Sequence, residues 1–344
     1  MFQSAFLSLF KDEEILLFSM LVRQQPRLVI LVAQVDPDGI GSALGLAAIA
    51  CHLGVEASIF YAGSFGHPQM IMLWEAFGLA GRICPVEAID PGFPVALVDS
   101  SKTSDARFGE RSLDPAIVID HHGDAREVRM DRFHCVVPVG AASSLVACLG
   151  ARLGVTFGRD VSTLLAMGIH TDTDGLTYVG TRPIDRYAYA WLMDTGDQEL
   201  VHRISRFPMS ERACTIVQRL LTHRSMYRGN ILLSHPPSAL EPTEGEYLAF
   251  AADILVRHED ARLVLALGVV GDHVRVSART REPALPLPRI LVHLFGPNSG
   301  AKECSGGALL DFPDGPRVGQ RREDKFNEFL ACLEGRLADL DLPS

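Results

Sequence analysis

The stretch RLVILVAQVDPDGIGSALGLAAIACHLG, residues 27–54, decides the fold. After Arg27, residues 28–35 form an apolar run broken only by Gln34. That is the pattern of a parallel strand covered on both faces, where neither side of the pleat meets water. DPDGIGS supplies turn residues, and ALGLAAIACHLG carries helical periodicity to a glycine stop. The same order returns along the chain. VEASIFYAG precedes a helical pattern near 68–80, and FPVALVDSS (93–101) and PAIVIDHHG (115–123) are further apolar strands. VVPVG then leads into a helix from Ala141 to Leu153, and another helix starts near Asp160. Strands alternating with helices predict an α/β fold on a doubly wound, mainly parallel sheet.

After Gly196 the pattern changes. DQELVHRISRFPMSERACTIVQRLLTHRSMY is helical and polar on one face, as expected of a connector. From about residue 228, GNILLSHPP and YLAFAADILVRHEDARLVLALGVVGDHVRVSARTR mix strands with a helix, and a proline-rich loop and a glycine-rich stretch follow. The expected organisation is therefore a first domain over 1–195, a helical connector over 196–227 and a smaller α/β domain over 228–344. The opening segment lacks a basic start and carries Lys11, Asp12, Glu13 and Glu14 inside its apolar pattern. It reads as an amphipathic helix over 1–25, not as a secretion signal.

With 344 residues, 47% hydrophobic and 22% charged, the chain has room for two globular cores. No apolar stretch reaches the ~18 residues a membrane helix needs. Seven cysteines are scattered without a CxxC pair, so they read as reduced core thiols, zinc is disfavoured and a reducing cytoplasm is expected. A net charge of −10 argues against coating long nucleic acid, which takes clustered Lys and Arg. A short anionic ligand in a local pocket stays open.

Ligands of parallel α/β sheets bind at the carboxyl ends of the strands. Four acid-bearing segments fall at such ends or at a helix–turn: Asp36 with Asp38, Asp99, Asp120 with His121 and His122, and Asp172. One such acid alone reads as a helix N-cap or a turn aspartate. Four meeting at one rim repel unless they protonate or share a cation. Carboxylates with a neutral imidazole suit Mn²⁺ or Mg²⁺, and a pair of such ions suits phosphoryl chemistry. His170 reads as a helix-end histidine, with ligand and proton shuttle as alternatives.

The order DPDGIGSA, VDSS, VIDHHG and GIHTDT resembles the DHH phosphoesterase superfamily. That superfamily includes RecJ-like exonucleases, oligoribonuclease/pAp phosphatases, cyclic-dinucleotide phosphodiesterases and type II pyrophosphatases. GAASS (140–144) and TRPIDRYAYAWLMDTG also look like the family. VRVSART (274–280) resembles its strand with a substrate-binding arginine, and SGAKECSGG (299–307) resembles the glycine-rich loop of the DHHA1-type C-terminal domain.

The resemblance implies that Asp99 bridges two metals, that Asp36 serves the first, and that Asp38, His121 and Asp172 complete the second. It implies that Asp120 sits behind the ligating histidine and fixes its tautomer, while His122 faces the phosphate. Arg279, Ser277, Gly300, Lys302, Ser305, Gly306 and Gly307 become the expected substrate contacts. Two Mn²⁺ ions, with Mg²⁺ or Co²⁺ as alternatives, would activate a water for in-line attack. The chain departs from the pattern where relatives carry a histidine or aspartate before the first motif: here stand Val32 and Gln34. It departs again in the glycine-rich loop, where Ala301 replaces a histidine.

The leading expectation is an exonuclease-type hydrolase of short substrates, such as nanoRNA, dinucleotides or pAp-like bisphosphates. Long duplexes and membranes are not expected partners, and a homodimer stays open. The alternatives are a catalytically impaired nucleotide-binding protein of the same fold and an inorganic pyrophosphatase.

Overall fold

The computed structural model describes residues 6–63, 67–89, 95–103, 106–109, 113–301, 303–311 and 322–342. The chain divides into two compact units, Met1–Phe207 and Pro208–Ser344.

The first unit opens with α1 (Asp12–Arg23), β1 (Leu28–Val32), α2 (Pro37–His52), β2 (Ala57–Tyr61), α3 (Pro68–Ala76) and β3 (Ile83–Pro85). It continues with β4 (Val95–Val98), β5 (Ile117–Asp120), β6 (Ala125–Arg129), β7 (Arg132–Val136), α4 (Ala142–Arg152), α5 (Arg159–Asp172), α6 (Pro183–Met193) and α7 (Gln198–Ser205). Its sheet runs β3-β2-β1-β4-β5-β7-β6. All neighbours are parallel except the β6–β7 pair. Alternate residues of β1 feed different cores. Ile30 and Val32 join one that includes Ile40, Leu46, Leu145 and Leu165. Val29 and Leu31 join another with Leu97 and Val118. Burial on both faces explains why the strand is apolar throughout. The strand order reverses between β1 and β4, so the loops after these strands flank the crevice where α/β sheets place ligands.

The β6–β7 hairpin is an element the sequence pattern does not announce. Residues 125–129 of β6 are mostly exposed and charged, so only the antiparallel pairing with β7 marks them as a strand. Helix packing is set by small residues. A Cβ on Gly41 would stand 2.6 Å from the Leu164 carbonyl oxygen, so α2 and α5 meet backbone to backbone.

The second unit contains α8 (Glu211–Thr222), β8 (Arg224–Tyr227), β9 (Ile231–Ser234), α9 (Glu246–Leu255), β10 (Leu263–Val270) and β11 (His273–Arg279). It closes with α10 (Leu287–Phe295), β12 (Ser299–Ala301), β13 (Ser305–Asp311) and α11 (Arg322–Asp339). Its sheet order is β12-β13-β11-β10-β9-β8, with β9 and β10 parallel and the other pairs antiparallel. Leu265 and Leu267 face one core, Val264 and Ala266 the other.

Residues 196–227, expected as a connector, are divided between the units. Val201 and Ile204 of α7 are buried in the first unit's core, while Ile216 and Leu220 of α8 are buried in the second's. The cysteine expectation needs correction as well. All seven are free, but only Cys135 and Cys148 are buried, and Cys51, Cys214 and Cys332 are exposed. Among the described residues, no helix is long and apolar enough to cross a membrane.

Candidate metal centre

Three elements of the first unit bring acids to one point. Asp38 lies in the first turn of α2, Asp99 directly follows β4, and Asp172 ends α5. His121 leaves the end of β5, and its Nε2 is the hub. It lies 3.3 Å from Asp99 Oδ1, 3.4 Å from Asp172 Oδ2 and 3.8 Å from Asp38 Oδ2. His122 Nδ1 stands 3.7 Å from the same Asp99 oxygen. Two groups of donors could each hold one ion: Asp99, His121 and His122; and Asp38, His121 and Asp172.

The backbone aims these groups. Asp99 takes φ +55°, a left-handed conformation uncommon outside glycine but tolerated by aspartate, while its N–H donates to the Ile119 carbonyl at 2.9 Å. The chain thus turns sharply at the strand's end while remaining tied to the sheet. Asp38 is held by the N-terminus of α4: its Oδ2 accepts from Ala142 N at 2.7 Å and its Oδ1 from Ser143 N at 2.8 Å. Oδ1 also accepts from the Ser42 hydroxyl at 3.5 Å, whereas Oδ2, the oxygen near His121, keeps a second lone pair. This explains why GAASS opens a helix at that point in the chain.

Electrostatics at the hub are unfavourable without a cation. Burial first, then the charge of Asp38, pushes the Asp99 carboxyl up to about 7, against the pull of His121. Burial and the charge of Asp172 raise Asp38, although His121 and the Ser143 hydrogen bonds oppose them. Burial raises Asp36 well above the ordinary range, and the charges of Asp99 and Asp172 add to it. Asp99 Oδ1 is buried with no hydrogen-bond partner among the described residues. Buried polar atoms are ordinarily satisfied, so such an oxygen facing a ring of like charges asks for an ion. Donors that share a cation at about 2.1 Å are roughly 3.0–3.4 Å apart at octahedral to tetrahedral angles. The Asp99 and Asp172 spacings from His121, 3.3 and 3.4 Å, fit that requirement, Asp38 at 3.8 Å stands slightly farther out, and the oxygen-rich donor set suits a hard divalent ion.

Other expected residues fall elsewhere. Asp36 belongs to neither group of donors; it caps α2, its Oδ1 accepting from Gly39 N at 2.8 Å. Val32 is buried in β1. Gln34 is exposed, and its amide oxygen accepts from Arg107 at 3.2 Å. The amide oxygen that stands where relatives carry a ligand is thus engaged by a guanidinium. His170 lies outside both groups, with its ring 6.3 Å from that of Tyr189 and its pKa lowered by burial.

The expectation for Asp120 is corrected. Its Oδ1 lies 2.7 Å from His122 Nδ1 and also accepts from the His122 N–H at 3.1 Å. It therefore orients His122, not His121. Burial pushes the Asp120 carboxyl up, but the hydrogen bond and charge of His122 outweigh that and hold it below its ordinary value. His121 instead sets its Nδ1 3.2 Å from the carbonyl oxygen of Val139. Sequence spacing could not separate these arrangements, because Asp120 adjoins His121 in the chain while the β5 pleat sends their side chains apart.

In the second unit, the Arg279 guanidinium is engaged by Asp253 and by its neighbour's carbonyl at Ala278. Ser277 is buried in β11, opposite Gly307. Gly300, Gly306 and Gly307 do not form an anion-cradling turn; they lie in the paired strands β12 and β13, with Ser305 opposite Arg279 and Ala301 opposite Gly306. A Cβ on Gly307 would stand 2.6 Å from the Val276 carbonyl oxygen, so strand packing itself demands a glycine there. Lys302 lies outside the described residues.

No family model matches the sequence. The chain is 28% identical over 290 residues to an uncharacterised protein of Methanocaldococcus jannaschii, covering 84% of this chain and 58% of that one. It therefore spans little more than half of that relative's length. It is 28% identical over 262 residues to the bifunctional oligoribonuclease and PAP phosphatase NrnA of Thermus thermophilus, covering 74% of this chain and 76% of NrnA. A probable manganese-dependent inorganic pyrophosphatase of Streptococcus mutans matches at 27% over 140 residues, 40% of this chain and 45% of that one. Among solved structures, an exopolyphosphatase-related protein from Bacteroides fragilis superposes with a TM-score of 0.71 at 18% identity, covering 96% of this chain and 99% of its own. Four acid-bearing motifs in order, three acids gathered around His121, and these relatives agree: the chain is similar to phosphohydrolases of the DHH type, and it shares the fold of the exopolyphosphatase-related protein.

Proposed function

We propose that the chain is a metal-dependent phosphohydrolase that cleaves phosphodiester or terminal phosphate bonds of short nucleotides. One observation carries the reading: a single imidazole nitrogen lies 3.3–3.8 Å from three carboxylates delivered by three different elements. Asp38, Asp99, His121 and Asp172 would hold Mn²⁺, with Mg²⁺ or Co²⁺ as substitutes. When bound, such ions make water a better nucleophile and neutralise charge on a phosphoryl oxygen. The chain's own contribution is rigidity and one proton-transfer group. Asp120 occupies His122 Nδ1, so the exchangeable position left to that half-exposed ring is Nε2, suited to protonating a departing oxygen. Similarity to NrnA over three quarters of its length supports short nucleotides as the substrate class. The net charge of −10 disfavours long polyanions.

A second reading has its own observation. Because Gln34 gives its amide oxygen to Arg107, the Asp36 side of the centre is poor in donors. That favours a member which binds nucleotide with one firm metal and turns over slowly. One experiment addresses both: metal analysis per chain, with mononucleotide release from pApA in Mn²⁺. Turnover with two ions supports the hydrolase, and one ion with retained dinucleotide binding supports the second reading. Absence of turnover with Mn²⁺, Mg²⁺ and Co²⁺ on linear and cyclic dinucleotides and pAp would defeat the first. Faster hydrolysis of pyrophosphate than of pApA would reassign the substrate.

A further inference from the structure

Behind His121 lies a connection that no sequence motif predicts. The peptide group between Val139 and Gly140 offers one acceptor and one donor, and both are used. The Val139 carbonyl oxygen lies 3.2 Å from His121 Nδ1, and the Gly140 N–H donates to Asp185 Oδ2 at 2.8 Å. We propose that Asp185 is the positioning residue for His121, acting through this one peptide group to hold its Nδ1 protonated and its Nε2 lone pair facing the three carboxylates. The inference rests on the reading of His121 as a metal ligand.

The chemistry is directional. A carbonyl oxygen only accepts, so the ring atom facing Val139 must carry a proton, and in the neutral ring Nε2 is then the unprotonated nitrogen that a metal requires. A carboxylate at the N–H end polarises the peptide and makes its carbonyl a stronger acceptor. Metal-ligating histidines commonly pass their other N–H to a carboxylate or a backbone carbonyl; here the carbonyl stands in front and the carboxylate behind it. Asp185 is fully buried, so its effect is little screened by water. The packing admits little tolerance. A Cβ at Gly140 would lie 2.5 Å from Thr173 Cγ2 and 2.7 Å from Asp185 Oδ2, so any side chain there would displace the carboxylate.

Asp185 also has an ordinary role, since its Oδ2 accepts from Arg182 N at 2.7 Å at the start of α6. The test must separate the two. Asp185→Asn retains an acceptor but loses the charge. Asp197→Asn serves as the control, because Asp197 caps α7 through Leu200 N at 2.9 Å and is not part of the relay. In ¹⁵N-histidine-labelled, metal-free protein, at a pH high enough that the ring is neutral, ring nitrogen shifts report the tautomer, with His121 assigned by comparison with His121→Asn.

The wild type should show His121 protonated at Nδ1. Asp185→Asn should move population toward Nε2–H and weaken Mn²⁺ binding by calorimetry about 10–100-fold. Asp197→Asn should change neither. A neutral wild-type ring with its proton on Nε2 overturns the proposal, even should Asp185→Asn fail to fold. So does an Asp185→Asn protein that melts lower but keeps the wild-type tautomer and Mn²⁺ affinity. A wild type that binds no Mn²⁺ refutes the metal reading, while the tautomer measurement still decides the role of Asp185.

Discussion

The two halves of the candidate centre are built to different standards. On one side, Asp38 is gripped by two amides of α4, His121 is fixed from behind by the Val139 peptide, and Asp172 closes the triangle. On the other, Asp36 is occupied as an N-cap, Val32 is apolar wall, and Gln34 is held by Arg107. Both halves share the same switch point and the same burial pressure. They differ in what faces inward: three carboxylates surround His121 Nε2, whereas Asp36 belongs to neither donor group and the positions before it offer a valine and an engaged glutamine.

Removing the hub should have the largest effect. His121→Ala deletes the one nitrogen common to both donor groups, so Mn²⁺ affinity should fall by more than the ~100-fold upper end typical of outer-shell changes. Asp36→Ala, on the poor side, should cost less than about tenfold, the lower end of that range, together with some helix stability from the lost cap. Calorimetric titration of both variants checks the ranking. Equal losses would mean that the two sides contribute alike and that the contrast drawn from hydrogen bonding is wrong.

Gln34→His sharpens the contrast from the opposite direction. The substitution removes the acceptor that Arg107 uses and places a nitrogen donor two residues before Asp36. Metal analysis should then find a second ion per chain, or one bound about tenfold tighter, a gain within the range that ligand-supporting groups command. An unchanged stoichiometry would show that geometry, not donor identity, limits this half.

Much of this was legible before any coordinates. Parallel strands buried on both faces print themselves as apolar runs, and an acid just beyond a run marks the sheet's carboxyl edge; that logic points to the loops carrying Asp38, Asp99 and His121, whereas Asp172, at the end of helix α5, stands out only through the order of the motifs. It failed where the partner comes from elsewhere in the chain. Asp120 was matched to the wrong histidine because adjacency in sequence does not fix side-chain direction at the end of a strand. Asp185 lay inside a noted segment, yet its link to His121 runs through a peptide 45 residues away. Arg279 carries the charge expected of a phosphate contact, but Asp253, from α9, already engages it. The β6–β7 hairpin was missed because its exposed, charged strand lacks the apolar pattern by which strands are recognised.

The smallest effect, and the most direct probe of the crowded half, is the response of stability to pH. The Asp99 carboxyl is pushed up to about 7, and Asp36 and Asp38 are raised too, burial being the first cause for each. For an acid raised on folding, the unfolded chain ionises first, so its contribution to stability is complete below the ordinary value near 3.8 and is lost as pH rises through about 7. Metal-free protein should therefore melt at progressively lower temperature as pH rises across that window. Mn²⁺ should reverse the trend, because ligation needs the deprotonated carboxylates and its stabilisation grows as they ionise. Histidines titrate in the same range, so the comparison is with Asp99→Asn, whose metal-free melting temperature should vary less with pH than the wild type's. A metal-free wild type whose melting temperature tracks that of Asp99→Asn at every pH would mean that the Asp99 charge costs the fold nothing. The cluster would then be a self-sufficient polar network, and the case for a cation at His121 would fall with it.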